Sequence, residues 1–436
     1  MPKSQFMDPN EIRKPGKIKF KDIQLNQYKK TIEDEKSNYS KDDFLRIYHD
    51  MAIIREFETM LYDIKTKSEY NGIEYNNPGP AHLSMGQEAS AVGQAYLLGV
   101  DDYIFGSHRS HGEILAKGMS AIHKLSDKEL YDSMADFMDG RILKIVEKDQ
   151  KTTKELAHDF LIYGALAEIF ARDTGFHRGL GGSMHTFFLP FGIYPNNAIV
   201  GGSATIAAGA ALFKKVNEKK GICISNIGDG ALGRGPVWEA MMFSSMDQFF
   251  KLWDEAHKGG LPVIFNFFNN FYGMGGQTCG ETMPWGVLAR AGAGINPDQM
   301  HAERVDGYNP LAVIDAMRRK IDLIHQNKGP VLLDTITYRY TGHSPSDSGS
   351  YRTPEEVKAW EEHDVLKAFS SNLISAKVAN KNTFEKFDAE VKETITKICK
   401  MAIDEQISPR MDLIAFPDAI EKLMLSNKKI DKMEDR

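Results

Sequence analysis

Cysteines are few in this sequence, and long apolar runs are missing from it. Its 436 residues include only three cysteines, Cys223, Cys279 and Cys399, which lie far apart and form no Cys-x-x-Cys pair. This spacing argues against a disulfide framework and a zinc site, and it is typical of proteins from reducing compartments. No stretch of about 18 apolar residues occurs, so we expect no transmembrane helix.

The beginning of the chain also lacks the features of a targeting segment. Residues 1–20 mix Lys, Asp, Glu and Pro without the apolar run that signal peptides carry. Transit peptides are poor in acidic residues, whereas Asp8 and Glu11 occur here. We therefore predict a cytoplasmic protein.

Concentrated positive charge is missing as well. The formal net charge is -6, and no block of Lys and Arg is long enough to indicate nucleic-acid binding. With 42% hydrophobic and 26% charged residues, the composition is that of an ordinary soluble protein. The length suits two or three average domains, or one large α/β domain with additions.

Three regions are predicted along the chain: an N-terminal arm (1–39), an α/β domain (40–365) and a C-terminal helical region (366–436). Within the α/β domain, residues 119–178 are predicted to form a helical insertion. The tail after Ser426 is charged, and we expect its end to fray.

Periodicity and capping residues predict the first elements. Ser40 and Asp43 form a capping-box pattern, which predicts the start of an amphipathic helix that ends near Lys67. We also expect a helix over 81–98 and a short strand over 103–105. Residues 204–211 have almost only small side chains, which would let a helix pack very close to another helix or to a partner chain.

Alternating strand and helix patterns follow from residue 222 onwards. This alternation predicts an α/β fold with a parallel sheet and helices on both faces. The predicted strands are 222–227, 262–268 and 331–340, and the predicted helices are 237–256 and 310–325.

A glycine-rich loop, Gly228 to Gly233, follows the first of these strands and precedes a helix. Its spacing matches the dinucleotide fingerprint G-x-G-x-x-G, which suggests a nicotinamide-dependent Rossmann enzyme as one alternative. Asp229 argues against that alternative, because a bare carboxylate inside the loop would repel a pyrophosphate. A divalent cation between the two anions would turn this repulsion into binding.

The second strand supports the metal hypothesis, because it ends at Asn269 and Asn270. Neighbouring parallel strands end at the same edge of a sheet, where ligands bind. Asp229 and Asn270 can therefore converge on one Mg²⁺, with diphosphate oxygens completing its coordination. A helix that begins near Pro236 would direct its N-terminal N–H groups at the same phosphates.

The spacing of these residues resembles the thiamine-diphosphate motif, although the stretch between its two ends is longer here by about residues 249–260. Four segments stand out along the chain, and these are Gly86-Gln87-Glu88-Ala89, Gly181-Gly182-Ser183-Met184-His185, Asn269 to Gly275 and Tyr338 to Ser344. In this order they resemble the alpha subunits of pyruvate, acetoin and branched-chain 2-oxo acid dehydrogenases (E1 components). The resemblance covers about 48–360 and implies a thiamine-diphosphate-binding fold.

The resemblance implies a set of ligands for thiamine diphosphate and Mg²⁺. Asp229 and Asn270 would bind the metal through their side chains, and Tyr272 through its backbone carbonyl. Gly230 and Ala231 would donate backbone N–H groups to the diphosphate.

The remaining implied contacts come from other parts of the chain. Arg109 would pair with the diphosphate, and His108 stands where many relatives have Tyr, so its own contact is open. Ala198 and Val200 would hold the aminopyrimidine through their backbone. His343 matches the catalytic loop histidine.

His111 is a second candidate for a catalytic role, and a satisfied buried histidine is an equally good interpretation of it. Ser344 matches a phosphorylation site of mitochondrial relatives, and we expect no such regulation here.

The resemblance also implies partners. The glutamate that promotes ylid formation in this family lies in a beta subunit, so we expect an α2β2 heterotetramer that passes an acyl unit to a lipoyl-bearing E2 protein. The substrate would be a small 2-oxo acid such as pyruvate, or acetoin, and the branched-chain 2-oxo acids are the alternative. A non-catalytic scaffold subunit is a further alternative.

Overall fold

The computed structural model describes residues 6–148 and 152–420. The first five residues of the predicted arm and the charged tail after Ser426 therefore lie outside the described residues. The strands are β1 (Gln24–Leu25), β2 (Glu69–Tyr70), β3 (Ile73–Glu74), β4 (Tyr103–Phe105), β5 (Ile193–Tyr194), β6 (Cys223–Gly228), β7 (Val263–Asn269), β8 (Glu303–Asp306) and β9 (Val331–Ile336).

Helices make up most of the remaining ordered structure. The α-helices are α1 (Pro9–Ile12), α2 (Ile32–Glu35), α3 (Lys41–Lys67), α4 (Glu88–Ala95), α5 (His111–Lys124), α6 (Asp127–Asp136), α7 (Leu143–Val146), α8 (Thr153–Ile169), α9 (Gly202–Val216), α10 (Gly235–Ser244), α11 (Asp247–Lys251), α12 (Thr278–Glu281), α13 (Pro310–His325), α14 (Pro354–Glu362), α15 (Val365–Ser375) and α16 (Lys381–Ile403). Short 3-10 turns cover Phe137–Gly140, Gly182–Met184, Leu189–Phe191, Asp229–Gly233, Leu288–Gly292 and Gln299–His301. None of the described helices is long and apolar enough to cross a membrane.

Seven strands form one sheet in the order β1-β8-β9-β7-β6-β4-β5, and all neighbouring pairs are parallel. Alternate side chains of the central strands lie in two different hydrophobic clusters. Ile224 and Ile264 belong to the larger cluster with α3, α4, α5 and α8, whereas Cys223 and Val263 belong to the smaller one with α9 and α10. Since successive strand side chains point to opposite faces, helices cover both faces, and the predicted α/β fold is confirmed.

The long helix α3 begins at the predicted capping box. The Ser40 hydroxyl accepts a hydrogen bond from the Asp43 N–H at 3.1 Å, and the Asp43 carboxylate accepts one from the Ser40 N–H at 2.9 Å. These bonds satisfy donors that the first helical turn leaves open. The helix ends at Lys67, as predicted.

Two predicted helices are wrong in extent. The segment 81–98 is helical only over Glu88–Ala95, because the chain turns at Gly86 with a φ of +95°. The segment 237–256 breaks after Ser244, and Asp247–Lys251 forms a separate short helix. Because the helix begins only at Glu88, residues 81–84 have no regular secondary structure, and His82 in this segment lines the site described below.

The ends of the chain lie against this framework. In the N-terminal arm, β1 extends the sheet by pairing with β8, and residues 6–22 are mostly exposed. At the other end, α16 packs against α3 and α8. Arg55 in α3 donates to Glu88 at 2.6 Å and to Asp364 at 2.7 Å, which links α4 to the start of α15.

Candidate functional site

A cavity of about 390 Å³ lies at the carboxyl end of the central strands β6 and β7. The topology explains its position, because parallel strands end at one edge and their loops surround a crevice there. Its walls include all ten residues that the sequence suggested as cofactor ligands. These are His108, Arg109, Ala198, Val200, Asp229, Gly230, Ala231, Asn270, Tyr272 and His343.

Asp229 begins the 3-10 turn that follows β6, and its side chain is buried. Burial raises the pKa of this carboxyl group to about 6, although the hydrogen bond from Thr278 at 2.5 Å lowers it. In the described part of the chain, no Lys or Arg forms an ion pair with Asp229. A buried carboxylate without a counter-charge costs free energy, and a bound cation would offset that cost.

Asn270 directly follows β7 and lies beside Asp229, whose pKa its backbone N–H lowers. The Asn270 side-chain oxygen accepts a hydrogen bond from the Tyr272 N–H at 3.2 Å, so the loop after the strand is held close to the amide. Carboxylate, amide and carbonyl oxygens are the ligands that Mg²⁺ accepts. The two strand ends thus meet in the arrangement that a magnesium site needs.

Two guanidinium groups face the same cavity. Arg109 donates to the Leu83 carbonyl at 2.8 Å and to the His343 carbonyl at 2.7 Å. Arg339 donates to the Gly273 carbonyl and the Tyr351 hydroxyl, and its buried Nε has no partner among the described residues. Burial and the neighbouring Arg339 lower the pKa of Arg109 to about 9. Neither arginine forms an ion pair within the described ranges, so an anion such as a diphosphate fits between them.

Three histidines, His82, His108 and His343, meet at this wall of the cavity. Their ring centroids lie 4.8, 5.1 and 5.4 Å apart, and one ligand atom from each could come within 4.8 Å of the others. Burial and the nearby Arg109 lower their pKa values, to about 3, 2 and 4 respectively, so the imidazoles are neutral near pH 7.

A metal ion does not suit this histidine cluster. The His343 Nδ1 lies 3.5 Å from a guanidinium nitrogen of Arg109 and 3.3 Å from one of Arg339. Two unit charges of one sign about 5 Å apart repel by about 3 kcal/mol at an effective dielectric constant of about 20, and a dication doubles this repulsion. The charges here favour an anion, with neutral imidazoles as hydrogen-bonding neighbours.

The mouth of the cavity is apolar and exposed. Ala198 and Val200 lie there with Ile199, whose side chain is 70% exposed. Asn197 holds this segment through a hydrogen bond from the Ile199 N–H at 2.7 Å. The segment leads through Gly201, at a φ of +83°, into α9.

His111 does not line the cavity. It is buried behind the wall, with Nδ1 3.0 Å from Glu58 and Nε2 2.8 Å from the Ser183 hydroxyl. Both ring nitrogens therefore have partners within the protein. This geometry suits a residue that fixes the 3-10 turn Gly182–Met184 against α3.

Glu168 fixes the same glycine-rich segment from the other side. One carboxylate oxygen accepts from the N–H groups of His177 and Gly179 at 2.7 and 2.9 Å, and the other from Gly181 and Gly182 at 2.6 and 3.3 Å. The side chain is fully buried. One carboxylate thus satisfies four backbone donors in the segment that leads into the 3-10 turn Gly182–Met184.

Of the titratable residues in the cavity wall that are not exposed, three were missed from the sequence: His82, Glu113 and Arg339. His82 stands four positions before Gly86, and Arg339 lies inside one of the similar segments, so both carried a signal. Glu113 lies one helical turn after Arg109, and nothing in the local pattern distinguished it from a surface carboxylate.

Comparison with known proteins gives a consistent result. The model of the family described as dehydrogenase E1 component matches residues 58–157 and 154–410. One similar protein is the probable mitochondrial pyruvate dehydrogenase E1 component subunit alpha of Caenorhabditis elegans, 29% identical over 86% of this chain and 78% of that protein. Two other similar proteins are the pyruvate dehydrogenase E1 component subunits alpha of Rickettsia conorii and Rhizobium meliloti. Each is 28% identical over 86% of this chain, and the matched regions cover 92% and 89% of those two proteins, respectively.

Proposed function

Because the chain belongs to the dehydrogenase E1 component family, we propose that it is the alpha subunit of a 2-oxo acid dehydrogenase that uses thiamine diphosphate and Mg²⁺. One observation carries the proposal. A buried, unpaired carboxylate, Asp229, lies next to Asn270 at the ends of two neighbouring strands, and the unpaired guanidinium of Arg109 faces the same cavity. This charge pattern complements a magnesium diphosphate.

The residues of this chain would hold the cofactor at its diphosphate end. Asp229, Asn270 and the Tyr272 carbonyl would bind the metal ion. Arg109 and the backbone N–H groups of Gly230 and Ala231 would bind phosphate oxygens. Bound thiamine diphosphate supplies a carbanion-stabilising ylid, which the side chains of proteins cannot provide.

The organic end of the cofactor would lie at the exposed mouth, against the backbone of Ala198 and Val200. His343 would border the reacting centre as a neutral imidazole, since burial and two guanidinium groups hold its pKa at about 4. A neutral ring can accept a proton or a hydrogen bond there, whereas an imidazolium could not. His111 stays a prediction as a catalytic residue, because its two nitrogens face Glu58 and Ser183.

The surface around the mouth supports a beta subunit as partner. The neighbouring helices α9 and α10 expose apolar side chains, and such exposed apolar patches are typical of protein–protein interaction sites. Small residues on α9 permit close approach of another chain. The largest of these exposed side chains are Ile206, Phe213, Val216, Met242 and Phe243. We propose that they pack in an α2β2 heterotetramer whose beta subunit completes the cofactor site.

The proposed reaction is decarboxylation of a small 2-oxo acid and transfer of its acyl unit to a lipoyl group of an E2 protein. The similar alpha subunits named above are pyruvate dehydrogenase subunits, which supports a pyruvate-like substrate. Acetoin and the branched-chain 2-oxo acids are the alternatives that the experiment below includes. The cytoplasmic location stays a prediction, and some of the similar proteins are mitochondrial.

The test is substrate-dependent dye reduction by the chain alone and by the chain with its beta subunit, with Mg²⁺ and thiamine diphosphate. The panel holds pyruvate, 2-oxobutyrate, three branched-chain 2-oxo acids and acetoin. We expect activity only from the pair, loss of activity in Asp229→Ala, and full activity in Asp254→Ala, a control whose side chain is 71% exposed. Cofactor binding without activity on any compound would remove the proposed substrates, and absence of cofactor binding would favour the scaffold alternative.

The loop from Thr341 to Arg352 is the proposed docking element for the lipoyl-bearing partner. Arg352 donates to the carbonyls of Arg339 and Thr341 at 2.6 and 2.8 Å, so the base of the loop is attached to the segment between β9 and His343. Limited proteolysis with and without Mg²⁺ and thiamine diphosphate tests the link to the cofactor. Protection of the loop is expected on cofactor binding, and unchanged cleavage would count against it.

A further inference from the structure

Among the described residues that line the cavity, Glu113 is the one buried acidic residue that is not a proposed ligand. It is the third residue of α5, its side chain lines the cavity, and it is only 3% exposed. Its Oε2 has no hydrogen-bond partner among the described residues. A buried carboxyl oxygen without a partner is costly unless a ligand or a proton satisfies it.

The surroundings of Glu113 favour its neutral form. Burial raises the pKa of the carboxyl group to about 8, although Ser110, Asn226 and Arg109 lower it. Arg109 is the charged group that acts on it, and no ion pair forms between the two within the described residues. Below that pH the group is a carboxylic acid, which can donate one hydrogen bond.

We propose that Glu113 is a positioning residue that donates a hydrogen bond, as a neutral acid, to the anionic group that binds between Arg109 and Asp229. The inference rests on the proposed function, which supplies a diphosphate as that anion. An ionised Glu113 would repel the diphosphate, so binding would require the carboxylate to take up a proton first. The side chain would then couple cofactor affinity to pH.

The size of this coupling follows from linkage. At pH 8.5 a free group with a pKa of about 8 is about three-quarters ionised, so binding of the anion should take up about 0.75 proton at this site. The affinity for the anion should fall about fourfold between pH 7 and pH 8.5. Affinity falls as the pH rises because of the raised pKa. Below pH 8 the Glu113 carboxyl group already carries its proton, whereas above pH 8 binding of the anion must add one.

Other charged or titratable groups also line the cavity, and these are Arg109, Asp229, Arg234, Glu281, Arg339, His82, His108 and His343. Proton uptake by these groups should be the same in wild type and in a variant that changes only Glu113, so the difference between the two proteins reports Glu113 itself. Glu113→Gln is that variant, because its amide is neutral at every pH and can still donate a hydrogen bond. Glu393→Gln removes one exposed carboxylate from α16, away from the cavity and from α9 and α10, and serves as the control for loss of charge.

The experiment is calorimetric titration of the complex with its beta subunit by thiamine diphosphate in the presence of Mg²⁺. Titrations at pH 7 and 8.5, in two buffers of different ionisation enthalpy, give the number of protons taken up. At pH 8.5 we expect wild type and Glu393→Gln to take up about 0.75 proton more than Glu113→Gln. At pH 7 the three proteins should bind with similar affinity, and Glu113→Ala should bind about fivefold more weakly because it has no donor.

The outcomes separate this inference from the proposed function. Binding with equal proton uptake by wild type and Glu113→Gln would overturn the role of Glu113 and leave the cofactor assignment standing. Equal weakening of Glu113→Gln at both pH values would show a merely structural role. Absence of binding by the wild-type complex would refute both.

Discussion

Replacing Glu168 by glutamine would remove half of the acceptors that hold the segment from His177 to Gly182. The carboxylate accepts four backbone hydrogen bonds, two on each oxygen. In the glutamine variant one oxygen becomes an NH₂ group, which faces two N–H donors and can accept from neither. Each buried donor without a partner costs about 1–3 kcal/mol, and water can reach part of this loop, so we expect a loss of about 3 kcal/mol in the free energy of unfolding.

Denaturant unfolding of the purified chain measures this loss, and hydrogen exchange followed by mass spectrometry locates it. The amides of residues 177–182 should exchange faster in Glu168→Gln, and those of α13 should not change. Glu239→Gln is the matched control, because it makes the same chemical change on the exposed face of α10. A loss below about 1 kcal/mol, together with unchanged exchange of the loop, would refute the reasoning.

Three further predictions test other parts of the structure. Arg109→Lys should weaken binding of thiamine diphosphate by at least about tenfold, because a single ammonium cannot bind a protein carbonyl and a phosphate as the planar guanidinium does; equal affinity in calorimetry would contradict this. His343 should stay neutral from pH 5.5 to 8, since its pKa is lowered to about 4, and an imidazole titration midpoint above 6 by NMR would exclude that. Gly93→Ala should destabilise the chain by about 2 kcal/mol, because a Cβ there would lie 2.6 Å from the Cβ of Val313 on α13. Its control, Gly209→Ala on α9, has no neighbour within 4 Å and should stabilise the isolated chain by about 0.5–1 kcal/mol in the same thermal or denaturant melts.

The sequence was most informative where one periodicity continued over many residues. The capping box at Ser40 and the long apolar pattern behind it predicted α3 correctly, and Pro310 marked the first residue of α13. The central strands β6 and β7 followed from short β-branched and aromatic runs. Because parallel strands end at one edge, the juxtaposition of Asp229 and Asn270 could be predicted without any coordinates.

The sequence was least informative where distant segments decide local structure. The segment before α4 reads as helix, yet the backbone turns at Gly86, where a Cβ would lie 2.8 Å from the Tyr338 carbonyl oxygen. That contact joins residues far apart in the chain, so no local pattern reports it. Glu113 was missed for the same reason, since its burial depends on the cavity wall and not on its neighbours in sequence.

The edge strands β1 and β5, and β8 beside β1, were not predicted either. β1 and β5 have two residues each, and β8 carries Glu303 and Arg304 among its four residues, so none shows the alternation of a longer strand. Their pairing comes from the strands already present, which supply free backbone groups for a short segment to join. Such tertiary pairing overrides weak local preference.

The pairing of β1 with β8 protects the sheet from self-association. A long uncovered edge offers a row of free N–H and C=O groups on which a second molecule can add a strand. Here the arm covers one edge, with the Asn26 N–H donating to the Arg304 carbonyl at 2.8 Å, and the other edge is only the two residues of β5. A chain shortened to begin after residue 30 would leave Glu303–Asp306 uncovered, and it should form concentration-dependent aggregates that the full chain does not.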